Sequence, residues 1–508
     1  MNGWWVWGLA ALAVLVLGAV VSLWSAGRFA KRKSGPPATV IPPGEGCALD
    51  ALLIPVEADN PARDGAALVP EAAEALRIRL AMAQLAGRSL DLLYYIWDDD
   101  LSGRLLAQAV LDAADRGVRV RMLLDDVNVL NHDPVYRSLD RHPRIEVRLF
   151  NPIRNRDRGF RRGLELLFNL LPYNRRMHGK LWITDGRLAM TGGRNIGDAY
   201  FGLLDDGGHN YDDLDILLAG PVIRQAEALF DTFWNSGLAL PIRTLWPGRS
   251  TRLKRFRVRL AHYLKTPEVR DRLVPLALPQ AEAAGAALGL DRLRWGASLG
   301  FLGDPPQKAL GASPEGWMPQ ALRPLLRGTR HELRILTPYF VPGSDGLREL
   351  VQLARGGARV EVVTNGLALA DNPLVHGAYR WYRARLLTEG VRIHETASRQ
   401  GPRRMLHSKA MLIDGARGFV GSFNFDLRSA FLNTELGVVF DDPRLLADLR
   451  AIFDGACAAD AAYAVGLDGK LPVWRRGTAT GTHLEPESTA LRRAVSFVIG
   501  HLPIHRFL

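Results

Sequence analysis

Two short stretches of this chain carry the same three residue types at the same spacing. His178, Lys180 and Asp185 lie in MHGKLWITDGRLAMTGGRNIG, and His407, Lys409 and Asp414 lie in LHSKAMLIDGARGFVGSFNFD. An imidazole is a nucleophile or proton carrier near neutral pH, and an ammonium is a compact point charge. Together they suit chemistry on a phosphoryl group. With 12 His, 8 Lys and 35 Asp among 508 residues, chance gives about 0.01 matches to HxKxxxxD, from 12 × (8/508) × (35/508). Two matches 229 residues apart (407 − 178) are rarer still. Lysine makes up only 8 of the 65 Lys and Arg, yet it fills both positions. An Arg fork is a poor substitute for a point charge.

Each motif reads as a strand that ends in an Asp-Gly turn and returns through LAMTGG or GFVGS. His and Lys, two residues apart, share one strand face. Gly192–Gly193 and Gly421–Ser422 follow, small enough to let a substrate oxygen close to the backbone. Asn195 and Asn424 come next, so that lysine, amide and backbone N–H groups would together cradle a phosphate. Asp185 and Asp414 read more readily as turn formers than as proton carriers. Upstream, residues 89–124 and 332–364 each give an apolar run, an amphipathic helix and a β-branched run. That is a βαβ pattern, seen twice. The expected fold is therefore two repeated α/β units, at 51–248 and 286–475. An Arg-rich, helical connector at 249–285 joins them, and a tail runs over 476–508.

The duplicated HxKxxxxD resembles the signature of the phospholipase D superfamily. YYIWDDDLSGRLL, GGRNIGDAYFG, YDDLDILLAGP, TPYFVPG, GSFNFDLRSA and NTELGVVF resemble bacterial cardiolipin synthases of the C type more closely. The resemblance covers about residues 50–480. It implies two α/β/α domains related by a pseudo-twofold, with one active site at their interface. It also implies a metal-free, cofactor-free double displacement at phosphorus. His178 would be the nucleophile and His407 the acid and base. Carboxylates contributed crosswise, Glu435 for His178 and Asp213 for His407, would orient them. Tyr95 and Tyr339 read equally as headgroup-pocket or core aromatics, and Arg428 and Ser429 match the family pattern. Asp304 and Lys308, in GDPPQK, read most simply as a turn, and His376 as a packed helix residue.

The remaining features point to a membrane. Trp4 to Trp24 is a run of 21 uncharged residues, bounded by tryptophans and followed by Arg28, Lys31, Arg32 and Lys33. At about 1.5 Å per residue it reaches about 31 Å, a bilayer core. Residues 1–33 are thus expected to be a retained single-pass anchor, and 34–50 a Pro/Gly linker. The expected site is the bacterial inner membrane, with the catalytic units on the cytoplasmic side. A cleaved signal peptide fits less well, since no basic region precedes the run. Residues 154–176 hold seven Arg around LELLFNLLPY, and LRRAVSFVIGHLPIHRFL ends the chain. Both suit an anionic lipid surface. The net charge of +12 suits any anionic partner, but the apolar segments favour lipid over nucleic acid. Two cysteines, Cys47 and Cys457, exclude a disulfide framework but allow one bridge, and there is no CxxC for zinc. The reading is a phosphatidyltransferase that makes cardiolipin from phosphatidylglycerol and a second phospholipid, with phosphatidylethanolamine a candidate for the second. The alternatives are a hydrolytic phospholipase D, a phosphodiesterase nuclease and a lipid-binding scaffold. An accessory protein partner stays unassigned.

Overall fold

In the computed structural model, residues 4–29, 34–130, 132–156, 159–204, 208–245, 252–276, 284–398, 404–479 and 481–501 are described. The β-branched and leucine-rich runs form two nine-stranded sheets. The first is ordered Arg294–Ala297, Asp64–Val69, Asp215–Ala219, Leu188–Gly192, Leu181–Thr184, Ser89–Tyr94, Arg119–Asp125, Ile145–Phe150, Ala239–Pro241. The second is ordered Leu299–Gly303, Leu436–Phe440, Arg417–Gly421, Ala410–Ile413, Glu332–Leu336, Arg359–Asn365, Arg392–Thr396, Ala462–Asp468, Leu471–Arg475. In each sheet three central strands run parallel and the motif hairpin joins them antiparallel. The two βαβ units are those legible in the sequence. Their strands are buried on both faces, and the charges they carry are paired there, Arg121 with Asp91 and Arg334 with Glu361.

The core has three parts. One lies on the outer face of the first sheet and one on the outer face of the second. The middle part is shared: Leu181, Ile183 and Ile216 of the first half pack with Leu412, Val420 and Val438 of the second. Phe230 and Trp234 of the helix Ile223–Trp234, and Leu449 and Phe453 of the helix Pro443–Cys457, complete it. The halves are thus joined by a buried apolar interface. The chain changes sheet between Ala297 and Leu299, later than the boundary expected at residue 286. Arg294–Ala297 pairs antiparallel with Asp64–Val69 of the first sheet.

Residues Trp4–Phe29 form a 26-residue helix that packs against the helix Phe160–Phe168. Trp7, Leu9, Leu12 and Val14 are exposed on it. Side chains are described only for residues 7–20, and Trp4, Trp5, Trp24 and Arg28 lie outside these. Lys31, Arg32 and Lys33 lie outside the described residues altogether, as does Pro503 of the tail. Among the described residues no helix is long and apolar enough to cross a membrane, so the expected spanning anchor is not met.

Candidate active site

Short parallel pairings between the halves build the site. Asn210–Asp212 pairs with Arg404–Leu406, and the His407 and Ser408 N–H groups donate to the Asp212 carbonyl. The mirror clasp joins Met177 to Thr434, with the His178 N–H donating to the Thr434 carbonyl. One residue beyond each clasp stands a carboxylate of the opposite half. His178 Nδ1 lies 2.9 Å from Glu435 Oε2, and His407 Nδ1 lies 2.5 Å from Asp213 Oδ2. Nδ1 is taken in both rings, which leaves Nε2 as the nitrogen free to meet a phosphorus. The lysines lie on the same faces as their histidines. Lys180 Nζ donates to the His178 carbonyl at 2.5 Å, and Lys409 Nζ donates to the His407 carbonyl.

All of these groups are buried, and that dominates their electrostatics. Burial holds His178 at about 4, against the pull of Glu435, and His407 at about 3, helped by Lys409. Burial likewise brings Lys180 down to about 7 and Lys409 to about 8. The carboxylates move the other way in spite of burial. His407 and Lys409 draw Asp213 below its ordinary value, and His178 and Lys180 do the same for Glu435.

Asp185 and Asp414 lie at the hairpin turns, with φ of +55° and +51°, and act as acceptors for backbone. Asp185 takes the N–H groups of Gly87, Arg88 and Ser89, and Asp414 those of Arg330, His331 and Glu332. Each pins the start of its sheet's first parallel strand. The small residues correct the expected phosphate cradle. A Cβ on Gly193 would stand 2.0 Å from Asp213 Oδ1, and one on Gly421 2.3 Å from the Leu436 carbonyl. The space at both is taken by a neighbouring strand, not left for substrate. The N–H groups of Gly193, Gly421 and Ser422 already donate to Leu214, Lys409 and Leu436 carbonyls. Ser422 instead turns its Oγ to Glu435 Oε2 at 2.5 Å. Asn195 is held by the Ile96 N–H and the Tyr200 hydroxyl, whereas buried Asn424 has an unpartnered Oδ1.

Tyr95 stacks edge-on against His178 with centroids 5.0 Å apart, and Lys180 lies 5.3 Å from its ring. Tyr200 and Tyr211 flank His407 at 5.3 and 4.9 Å, a pair the sequence reading missed. Tyr339 donates its hydroxyl to Asp371 at 2.5 Å. Arg428 reaches across the halves to Asn174, and Ser429 Oγ accepts from the Asn424 N–H. His376 is packed under the helix Ala490–His501, against Ser496. The expected plain turn at Asp304–Lys308 is a buried clamp. Both residues are fully buried; Asp304 Oδ2 takes the Glu435 N–H and the Lys308 ammonium, and the Asp304 N–H donates to the Glu435 carbonyl. Its signal was a scarce lysine four residues from an acid.

Both cysteines are free thiols, Cys47 packing on Asp185 and Cys457 on Arg334. Two trios of potential metal ligands come together through the fold, Glu361–His394–Cys457 and His376–Glu395–Glu485. Arginines already neutralise them: Arg334 and Arg359 on Glu361, and Arg383 on Glu395 and Glu485.

The family model for the cardiolipin synthase phospholipase D-like domain matches residues 78–234 and 322–456. Cardiolipin synthase C of Escherichia coli (strain K12) is 35% identical over 442 residues, covering 83% of this chain and 90% of its own. Cardiolipin synthase A of Yersinia pseudotuberculosis is 28% identical, covering 78% and 69%. The crystal structure of phosphatidylserine synthase from Haemophilus influenzae superposes with a TM-score of 0.55 at 13% identity, covering 81% and 92%, which shows the shared fold. With both motif pairs inside the matched segments, the chain belongs to the cardiolipin synthase family of phospholipase D-like proteins.

Proposed function

We propose that this chain is a phosphatidyltransferase that makes cardiolipin from phosphatidylglycerol and a second phospholipid. The observation that carries it is the pair of histidines, each bound through Nδ1 to a carboxylate of the other half, above two buried lysines. Burial holds His407 neutral, and the anionic phosphodiester, once bound, favours its protonated form with a proton taken up from solvent. His178 Nε2 attacks phosphorus, and the bond to the leaving alcohol oxygen breaks as the His407 Nε2–H protonates it. His407 then takes the proton of the incoming hydroxyl, whose oxygen attacks the phosphohistidine and frees His178. Lys180 and Lys409 neutralise the non-bridging oxygens through both steps. Asn195 and Asn424 complete the surroundings of the phosphate. Asp185 and Asp414 serve by fixing the strands that bear the motifs.

Membrane attachment belongs to the same proposal, at the bacterial inner membrane with the catalytic halves on its cytoplasmic side. Its support is the apolar helix Trp4–Phe29, packed on the segment that exposes Leu167, Phe168 and Leu171. No nucleic acid partner is expected at a mouth with this apolar rim. The test is lipid analysis of a cardiolipin-deficient bacterial host expressing the chain. Cardiolipin is expected with the wild type and not with His178→Ala. Phosphatidic acid in its place would identify a hydrolase.

A further inference from the structure

An apolar cavity of about 140 Å3 lies beside the catalytic centre in the second half, and the reaction proposed above does not use it. Its walls come from the helices Met318–Arg327, Gly343–Arg355 and Leu427–Phe431 and from the segment between Gly421 and Leu427. We propose that this cavity receives an acyl chain of the phospholipid whose phosphate sits between His178 and His407. The proposal rests on the phosphatidyl-transfer reading and adds where the lipid tail goes.

Position is the first argument. Ser422, Phe423, Asn424, Phe425 and Asp426 run in sequence along the boundary between site and cavity. Ser422 holds Glu435, the carboxylate bound to His178. Phe423, Phe425 and Asp426 line the cavity. One short segment therefore serves the phosphate centre with its small polar residues and the cavity with its rings. The helix Leu427–Phe431 depends on the same segment, since Asp426 caps it through the Ser429 N–H at 2.6 Å.

Chemistry is the second. Leu322, Leu326, Phe425, Leu427 and Phe431 give the walls, and charge is confined to Asp426, the Arg323–Glu349 pair and Asp345, which pairs with Arg348. Arg323 and Glu349 pair at 3.1 Å and are partly exposed. Asp426 is buried, and burial raises its carboxyl to about 7, so that it is largely uncharged at slightly acidic pH. The volume holds on the order of five methylenes, if each takes about the 30 Å3 of a water molecule.

The third argument is continuity with the apolar rim. Phe431 is 51% exposed at the lip of the cavity. Arg428 of the same helix bonds Asn174 of the other half at 2.7 Å. Asn174 ends the segment that exposes Leu167, Phe168 and Leu171. A chain leaving a bilayer at that rim meets apolar surface along its way to the cavity.

The experiment uses the full-length protein and vesicles of phosphatidylethanolamine with phosphatidylglycerol, the latter carrying a diazirine on one acyl chain. After illumination, label is expected on residues 318–327 or 423–431. Ala430→Phe, which fills the cavity from a half-buried wall position, should lower that label at least fivefold. It should leave hydrolysis of bis(p-nitrophenyl) phosphate within twofold of wild type. The same variant should lose a roughly tenfold preference in kcat/KM for six-carbon over two-carbon chains, since about five methylenes fill the cavity. Wild-type label found only elsewhere, or label and chain preference unchanged in a folded Ala430→Phe, overturns the proposal. Cavity label without any transfer product overturns the phosphatidyl-transfer reading instead. Transfer without cavity label overturns only the acyl site. The wild-type label map decides even if the variant fails to fold.

Discussion

His178 and His407 share their local equipment but meet different carboxylates. Glu435 meets both His178 and Ser422 on Oε2, whereas Asp213 meets His407 on Oδ2 and accepts from the Leu214 N–H on Oδ1. The division of labour shows with a lipid analogue whose leaving group is a nitrophenol, which departs without protonation. On natural lipid both His178→Ala and His407→Ala should lose about 10²–10⁴-fold or more. On the analogue, His407→Ala should regain a single turnover and accumulate an acid-labile phosphohistidine, and His178→Ala should give no burst. The reverse pattern in rapid-quench labelling would exchange the roles. The lysines make a second prediction, with its sign set by burial. Lys180 is at about 7 in the folded chain and near 10.5 unfolded, so between these values the unfolded state binds more protons. Stability therefore rises as pH rises from about 7 to 10.5, and the full penalty stands below 7. Lys180→Met should raise Tm by a few degrees at pH 6, and by less at pH 10, while abolishing turnover. Equal shifts at both pH values in calorimetry would contradict a buried, strained ammonium. EDTA should leave activity within about twofold, since acid–base and ammonium groups account for the steps; loss on chelation with recovery on adding a divalent ion would refute this. The His and Lys positions were legible because each pair lies in one short extended stretch just before the strands Leu181–Thr184 and Ala410–Ile413, where spacing decides the face. The glycines were misread because what fills the space beside Gly193 is Asp213, a residue from another strand, and only the fold reveals it.

At the scale of elements, the hairpin that carries each motif is fixed from outside by its turn aspartate. The short turn Pro306–Leu310 does comparable work for Glu435. It places Asp304 on both backbone groups of Glu435, while Lys308 neutralises Asp304 and donates to the Ser429 carbonyl. The contact joins residues 131 apart in sequence, which is why GDPPQK read as a plain turn. Asp304→Asn keeps the shape but turns an acceptor into a donor facing the Glu435 N–H. A buried donor without a partner costs about 1–3 kcal/mol, enough to let Glu435 shift from His178. Since Glu435 pulls the His178 pKa upward, its retreat moves the acidic limb of the pH–rate profile to lower pH. Asp304→Asn should lower kcat about tenfold, keep KM within a factor of two, and move that limb down. A loss of Tm with an unmoved pH profile would reduce Asp304 to a merely stabilising residue. The strands and βαβ helices themselves were legible, because their apolar periodicity is local. The sheet exchange at Ser298 was not, because Arg294–Ala297 pairs with a strand some 230 residues earlier, Asp64↔Ala297 being the first register pair.

For the whole molecule, the two halves share a core and a catalytic centre, so the enzyme has no stable half to release. What faces outward is uneven. One ridge carries Leu167, Phe168 and Leu171, beside the helix Trp4–Phe29. A second is formed by the helix Ala490–His501 on the helix Pro373–Thr388, with Phe497, Val498 and Trp381 exposed. Gly377 allows this close packing, since a Cβ there would meet Ile499 at 2.8 Å. Both ridges sit in a chain of net charge +12, a sign that would favour an anionic bilayer over a neutral one. If the N-terminal helix were the whole attachment, removing residues 1–33 would free the protein. If the ridges also bind, the truncated chain should still sediment with phosphatidylglycerol-rich vesicles at low salt. Raised salt should weaken that binding, since surface charge contributes about 1 kcal/mol per well-placed Arg and is screened. Each exposed Leu or Phe adds about 1.5–3 kcal/mol if it becomes buried in lipid. Replacing Leu167, Phe168 and Leu171 together by serine should therefore lower vesicle binding of the truncated chain by tenfold or more, without a loss of Tm, because all three already face outward. A truncated protein that stays in the supernatant at low salt would leave the N-terminal helix as the sole attachment. A triple variant that binds as well as its parent would move the contact from the first ridge to the second.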